Sequence, residues 1–197
     1  MDSRKELISH IPELGIHDIF GLIRQRKEHM DVNSKVTPFN GNIKWQENIK
    51  NEWWSTGYTG ELDERQKKMI RLRETLLSCG GVEVCMPVYE EDYGDIMNHG
   101  QLWDNITRKR MPGRASKCHS NSAELWFNNR NAYKNGHAVV LCTGYALSAD
   151  GLWRQHSWLI HVKPRSNVII ETTTDRVAYY GFGMTYEQAA RFEEENY

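Results

Sequence analysis

One cysteine occupies the position in this chain where a thiol is most easily activated. Cys118 lies in the segment "KCHSNSAELWF" (117–127), at or just before the first turn of a helix predicted over 120–136. The unpaired N–H groups and the dipole of a helix N-terminus favour the thiolate and lower the pKa of such a cysteine. The ten preceding residues, 108–117, carry five basic side chains and no acidic one, which acts in the same direction. The sequence therefore predicts that Cys118 is a nucleophile.

A thiolate nucleophile needs a base beside it, and the base needs a third group that orients it. His156 in "QHSW" and Glu171 in "IIETT" follow Cys118 in chain order, each on a predicted strand. Side chains on neighbouring antiparallel strands lie side by side when they share a face of the sheet. The register of the connecting turn decides whether these two do, and residue parity leaves that open. We expect the sulfur of Cys118 within about 4 Å of one ring nitrogen of His156, with Glu171 near the other.

The order of a cysteine at a helix start, a histidine on a strand and an acid on the next strand resembles the papain-like thiol hydrolase superfamily. That superfamily includes peptidases, cell-wall amidases, transglutaminases and glutamine deamidases. The segments "KCHSNSAELW", "GYAL", "QHSW" and "VIIETT" also resemble a poorly characterised bacterial and phage group. The resemblance covers about residues 114–183. It implies a papain-like α+β core in which Cys118 is the nucleophile, His156 the base and Glu171 the orienting group, where Asp or Asn is usual.

The same resemblance implies a reaction. The thiolate would attack an amide bond of a protein, a peptide or a small amide substrate and form a thioester intermediate. Neither a cofactor nor a resident metal is expected. The oxyanion donor of the superfamily is a glutamine shortly before the cysteine, and Gln101 is the only glutamine between residues 90 and 117. The backbone N–H of Cys118 is the second predicted donor.

Other interpretations of these residues stay open. Cys118 is also consistent with a small buried side chain. His119 is a second but less favoured candidate for the base, because neighbouring side chains on a strand or turn point apart. A non-enzymatic binding module would instead use the basic segment 108–117 and the aromatic segments at 52–58 and 177–186 as its contact surface.

A metal site is the remaining alternative, because thiol and imidazole groups are common ligands. The side chains that would supply it are Cys118, His119, His137, His156 and His161. The four cysteines of the chain include no C-x-x-C pair, and no H-x-x-x-H spacing occurs on a predicted helix. The sequence thus favours free thiols and a catalytic cysteine over a metal centre.

Hydrophobic periodicity predicts the elements that position the candidate residues. The predicted helices cover 4–30, 61–81, 120–136 and 185–197, and the predicted strands cover 82–90, 137–147, 155–163 and 167–173. Thr185 and Gln188 have the spacing of a capping box at the start of the last helix. A helix followed by three strands predicts an α+β fold, with helices packed on an antiparallel sheet. We expect an N-terminal helical and irregular extension over 1–60 and the catalytic core over 61–197.

Composition narrows the class of protein. The chain has 197 residues, of which 39% are hydrophobic and 26% charged, as in an ordinary globular protein. A formal net charge of -1 gives no overall field that would attract nucleic acid or a membrane. The longest apolar runs, such as "AVVLC" at 138–142, are far shorter than a membrane span. The first residues lack the apolar run of a signal peptide, so a cytoplasmic protein is expected.

Overall fold

The structure is a computed structural model, and it describes residues 60–131 and 137–197. These residues belong to one compact unit that spans 36–197. The extension predicted over 1–60 lies outside the described residues, apart from its last residue, as does the aromatic segment at 52–58. The boundary between extension and core therefore stays a prediction.

The described residues form four helices and seven strands, which we number in chain order. The helices are α1 (Glu64–Ser78), α2 (Tyr93–His99), α3 (Cys118–Asn129) and α4 (Tyr186–Asn196). The strands are β1 (Glu83–Val84), β2 (Gln101–Trp103), β3 (Thr107–Arg110), β4 (Ala138–Leu147), β5 (Leu152–Val162), β6 (Asn167–Glu171) and β7 (Ala178–Gly183).

The strands make one sheet in the order β2-β7-β4-β5-β6-β3, and β1 pairs with the beginning of β5. The pairs β4–β5, β5–β6, β4–β7 and β2–β7 are antiparallel, whereas β3 runs parallel to β6. The predicted α+β fold is confirmed, and so are the three antiparallel strands expected between residues 137 and 173. The sheet is mixed rather than purely antiparallel because of β1 and β3.

The long hairpin β4–β5 sets the positions of the candidate residues. Its turn has Gly151 at φ 81°, a left-handed conformation that glycine adopts without strain. Ser148 and Leu152 close the turn with a backbone hydrogen bond of 3.0 Å. The resulting register pairs Gly144 with His156, and Thr143 with Ser157. A shift of one residue would exchange the faces of all β5 side chains.

One face of the sheet packs against the helices. Helix α1 begins with a capping box formed by Asp63 and Gln66, and its buried stripe is Met69, Leu72 and Leu76. These side chains share a core with residues of α3 and of the central strands, namely Trp126, Leu141, Tyr145, Leu159 and Phe182. Burial of this apolar surface is the main force that holds the helices on the sheet. The capping box predicted at Thr185 and Gln188 starts α4 and is confirmed.

Several predicted boundaries were wrong. The helix predicted over 120–136 begins at Cys118 and ends at Asn129, and residues 132–136 are not described. The strand predicted over 82–90 has only two residues, Glu83 and Val84, followed by one more backbone hydrogen bond from Cys85 to Trp153. The segment 90–117 contains α2, β2 and β3 although it has no apolar period, since β3 is exposed throughout.

The aromatic segment at 177–186 is mostly a strand in the structure. Residues Ala178–Gly183 form strand β7, with Tyr179 fully buried. Among the described residues, no helix has both the length and the apolar character needed to cross a bilayer.

Candidate active site

Cys118 is the first residue of α3, and the loop before it is tied to the helix by Asn121. The amide of Arg114 donates to Asn121 Oδ1 at 3.0 Å, and Asn121 Nδ2 donates back to the Arg114 carbonyl at 2.8 Å. A Cβ on Gly113 would come within 2.5 Å of the Asn121 side chain, so the loop passes too close for a larger residue. The loop and the helix start are thereby locked together. The backbone N–H of Cys118 has no partner within the helix, as for any residue in a first turn.

Helix α3 brings Cys118 to strand β5. Ser122 Oγ donates to the Ser157 carbonyl at 2.9 Å, one helical turn after the cysteine. Residues four apart share a helix face, so Cys118 faces the same strand. His119 Nδ1 lies 2.7 Å from Ser157 Oγ, which fixes the first turn of the helix a second time.

His156 and Glu171 lie on one face of the sheet. In the β5–β6 pair, Ile160 is opposite Ile169. His156 is four residues from Ile160 and Glu171 is two from Ile169, and both offsets are even, so the two side chains point the same way. His156 Nε2 lies 2.9 Å from Glu171 Oε2. His156 and Glu171 therefore share a face of the sheet, which residue parity alone could not predict.

The carboxylate of Glu171 is fully satisfied by hydrogen bonds. Tyr179 Oη donates to Oε2 at 2.9 Å, beside His156. The backbone N–H and the hydroxyl of Thr173 donate to Oε1 at 2.8 and 2.9 Å. Burial alone would raise the pKa of this carboxyl group, but its bonds to His156, Thr173 and Tyr179 lower it to about 2. Glu171 is thus a fixed anion on the far side of the imidazole from the thiol.

Aromatic side chains enclose the His156–Glu171 pair. The ring of Trp158 is nearly parallel to that of His156, with centroids 6.3 Å apart, and Tyr179 lies 6.1 Å from it. Trp103 packs edge-on against Trp158 at 5.5 Å. His156 is 0% exposed and Glu171 is 1% exposed. Charges in such a dry site interact more strongly than they do in water.

The second ring nitrogen of His156 is left for a further partner. Nδ1 is buried and has no hydrogen-bond partner among the described residues. Burial lowers the pKa of His156, but the neighbouring Cys118 and Glu171 raise it above its ordinary value. Cys118 and Glu171 therefore both lie near His156, and an approach of the sulfur to within about 4 Å of a ring nitrogen stays a prediction.

The thiol of Cys118 is strongly acidified. Burial raises its pKa, but the adjoining His119 and His156 rings outweigh this and lower the pKa to about 5. Burial raises the pKa of each other thiol, at Cys79, Cys85 and Cys142. Cys118 is therefore the most acidic of the four free thiols.

The basic segment 108–117 acts differently from the prediction. The largest contributions to the low pKa of Cys118 come from the two histidines and not from this segment. Arg108 donates to the backbone carbonyls of Asp104 and Val177, at 2.7 and 2.6 Å, and Arg110 donates to that of Thr173, at 3.0 Å. These arginines therefore hold strand β3 and its neighbouring loops together.

His119 lies beside the thiol, although neighbouring side chains on a strand would point apart. That rule does not apply here, because His119 lies in the first turn of a helix. Its ring adjoins the thiol and packs at a tilt against Phe192 of α4, with centroids 5.8 Å apart. The "CHS" motif at a helix start was the signal available, but the Ser157 contact needs the tertiary fold.

Gln101 is placed far from the position expected of an oxyanion donor. It pairs with Gly181, which pairs with Gly144, which pairs with His156. Two strands therefore separate Gln101 from His156, or about 14 Å along the sheet at the usual strand spacing. This exceeds the length of a glutamine side chain, so the predicted role of Gln101 is not supported by the geometry.

A cavity of about 450 Å³ adjoins the site on the side of His119. Thr143 and Gly144 of β4 form its floor, and α4 and the segment 87–95 form its walls. The acidic residues that line it are Glu90, Glu91, Asp92, Asp95 and Glu195. Burial and the charges of neighbouring acids raise the pKa of Asp92 to about 6.

The described residues do not form a metal-binding site of the kind that the sequence left open. Within residues 60–131 and 137–197, no group of three or more His, Cys, Asp or Glu side chains is placed to hold an ion. His137 and His161 do meet, with Nδ1 and Nε2 3.1 Å apart, but away from Cys118. Comparisons with protein-family models, with curated proteins and with solved structures found no match for this chain. The chemistry of the site is therefore argued from its geometry.

Proposed function

We propose that the protein is a cysteine-dependent hydrolase or acyl-transferase that acts on an amide bond of a protein, a peptide or a small amide. Cys118 is the nucleophile, His156 the base and Glu171 the group that orients the base. The observation that supports the proposal is the buried hydrogen bond between His156 Nε2 and Glu171. The same imidazole lowers the pKa of the neighbouring Cys118 thiol.

The first half of the reaction forms a thioester. The sulfur of Cys118 attacks the carbonyl carbon, and the negative charge moves to the carbonyl oxygen. The free backbone N–H of Cys118 and the positive end of α3 stabilise that charge. The C–N bond then breaks, and the departing amine takes a proton from the His156 imidazolium. Glu171 stabilises the imidazolium before this transfer and holds the ring in position.

The second half releases the acyl group. Water or an amine attacks the thioester carbon, loses a proton and displaces the Cys118 thiolate. Water as acceptor gives hydrolysis, or deamidation when the substrate is a glutamine side chain. A lysine or another amine as acceptor gives transfer. The acceptor, and not the triad, therefore distinguishes these reactions.

The test is a pool of synthetic peptides that contain internal amide bonds, glutamine side chains and lysine side chains. Peptide cleavage, ammonia release and cross-linking report hydrolysis, deamidation and transfer respectively. We expect one of them with the wild-type protein and none with Cys118→Ala. Cys142→Ala is the matched control, because its thiol is fully buried and lies on β4.

Labelling with a stoichiometric amount of iodoacetamide near neutral pH distinguishes the other function classes. A single fast adduct on Cys118 supports the thiolate and the enzyme. Equal, slow labelling of all four thiols would favour the binding module, whose contact surface would include the exposed segment 108–117. Protection that a chelator relieves would favour a metal site. Full activity of Cys118→Ala in the peptide assay would contradict the proposal outright.

A further inference from the structure

His119 adjoins the reactive sulfur but has no part in the triad. Resting on the proposed function, we propose that His119 is a second catalytic base, which activates the acceptor in the thioester-releasing half of the reaction. His156 would then serve thioester formation and His119 its breakdown. The division of labour follows from the hydrogen bonds, the packing and the cavity around His119.

The hydrogen bonds of His119 set its tautomer. Ser157 Oγ donates its one proton to Thr143 Oγ1 at 3.2 Å. The same oxygen lies 2.7 Å from His119 Nδ1, and with its own proton given to Thr143 it can accept the Nδ1 proton. In that arrangement the neutral ring carries its lone pair on Nε2. A base needs an accessible lone pair, and the Ser157–Thr143 pair holds it on Nε2.

The two histidines are held by opposite faces of one strand. His156 and Ser157 are consecutive on β5, so their side chains leave opposite faces of the sheet. Ser157 holds His119 at 2.7 Å, whereas Glu171 holds His156 on the other face at 2.9 Å. Two bases held separately in this way can serve two successive steps without changing places.

Access to the acceptor also differs between the two. His119 lines the cavity of about 450 Å³, together with Thr143 and Gly144. His156 is 0% exposed and, like Cys118, is not among the residues that line the cavity. An acceptor in the cavity therefore meets His119 first, and it reaches the thioester where the acyl group extends from the adjoining Cys118. Phe192 lines the same cavity, and its ring lies 5.8 Å from that of His119.

The proposed step balances without any further reactant. A water molecule, or a neutral amine, in the cavity gives a proton to His119 Nε2 as its oxygen or nitrogen bonds to the thioester carbon. The C–S bond then breaks, and the electron pair returns to Cys118 as thiolate. The His119 imidazolium passes its proton to solvent through the cavity. His156, which gave its proton to the amine in the first half of the reaction, takes up one proton again, and this restores the thiolate–imidazolium pair.

The test uses p-nitrophenyl acetate, since its acylation and deacylation steps can be timed separately. The variant is His119→Asn, because the Asn side-chain NH₂ can still donate to Ser157 while the Nε2 lone pair is lost. Because His119 also lowers the pKa of Cys118, both proteins are compared at a pH at which iodoacetamide labelling shows the thiol ionised in each. There we expect the burst of p-nitrophenolate to keep its rate within about threefold, while steady-state turnover falls by about 10²-fold. Acetylated Cys118 should accumulate in the mass spectrum of the variant.

His161→Asn is the matched control, since it makes the same change on strand β5 away from the thiol. It should leave both the burst and the turnover unchanged. As a second variant, His119→Gly opens the wall of the cavity, and added imidazole should restore turnover in it. A role in packing alone would not be rescued in this way.

Two failures can be told apart. A His119→Asn variant whose burst and turnover are both normal, or both reduced equally, overturns the second-base proposal and leaves the triad intact. A wild-type protein that is never acetylated at Cys118 overturns the proposed function and this inference with it.

Discussion

Nε2 of His156 lies 2.9 Å from Oε2 of Glu171, and at most 2% of either side chain is exposed to solvent. Tyr179 donates to the same carboxylate oxygen at 2.9 Å. A buried carboxylate stays ionised only when hydrogen-bond donors and a positive partner surround it, as they do here. The pair therefore fixes the tautomer of the neutral His156 ring, with the proton on Nε2 and the lone pair on Nδ1.

Replacement of Glu171 by Gln should reduce thioester formation and leave a measurable remainder. The amide can present an NH₂ group to Nε2, which favours the wrong tautomer, whereas Cys118 and its backbone donor are untouched. We expect a loss of about 10²- to 10⁴-fold in the burst rate with p-nitrophenyl acetate.

Tyr179→Phe should have a smaller effect than Glu171→Gln, because it removes only one of the four hydrogen-bond donors to Glu171. Its loss should be on the order of tenfold, which corresponds to about 1.4 kcal/mol. Equal losses in the two variants would contradict the view that charge and tautomer, rather than packing, are what Glu171 supplies.

The pH dependence of alkylation should reveal the acidified thiol. The pKa of Cys118 is lowered to about 5, and that of His156 is raised. The thiolate–imidazolium pair should therefore form as pH rises through about 5 and persist until it passes the raised pKa of His156. The rate of iodoacetamide labelling should have reached a plateau at pH 7, whereas a free thiol is then mostly protonated.

The control for this titration is His156→Asn, which removes the main partner of the ion pair. Its labelling profile should shift to higher pH, though His119 keeps part of the effect. An inflection for the wild-type protein near 8.5, the value of an ordinary cysteine, would rule out an ion pair at this site.

Asp92 should destabilise the protein at neutral pH. Its folded pKa is raised from 3.8 to about 6, so the folded state binds more protons than the unfolded state between those values. Stability then falls as pH rises from about 4 to about 6. Asp92→Asn should raise the free energy of unfolding at pH 7 by about 1–2 kcal/mol, a figure discounted for partial exposure.

Urea denaturation at two pH values checks this expectation. The gain from Asp92→Asn should be present at pH 7 and absent near pH 4, where the carboxyl group is already neutral. Asp175→Asn, at an exposed position, should show no such difference. A gain of equal size at both pH values would mean that the charge of Asp92 is not its cause.

Gly144 should tolerate no larger residue. It has φ 148°, and an added Cβ would come within 2.3 Å of the Tyr180 carbonyl on β7. Gly144→Ala should lower the free energy of unfolding by about 2–4 kcal/mol, because backbone must move to make room. Gly94→Ala in α2 is the opposite case. A Cβ there meets nothing within 4 Å, and alanine should stabilise the helix by up to about 1 kcal/mol.

Thermal unfolding of both glycine variants measures the contrast. Loss of p-nitrophenyl acetate turnover in Gly144→Ala is expected as well, since Gly144 pairs with His156 and lines the cavity. A Gly144→Ala variant as stable as the wild type would show that β4 and β7 can separate without cost.

The sequence by itself determined the α+β class, the hairpin at Asp150–Gly151 and the capping box at Thr185. It also singled out Cys118, His156 and Glu171, because side-chain chemistry and chain order can be read directly. These features depend on local rules: periodicity of apolar residues, glycine at a left-handed turn, and a hydroxyl before a helix.

The tertiary structure alone decided how those residues meet. The register of β5 against β6 is set by packing along the whole strand pair, so the shared face of His156 and Glu171 was beyond local rules. The position of His119 depends on Ser157, 38 residues away in the sequence. Strand β3 is exposed and has no apolar period from which it could be predicted. A contact between residues distant in sequence costs chain entropy, and only the complete core compensates for that cost. No local sequence pattern therefore predicts any one of these contacts.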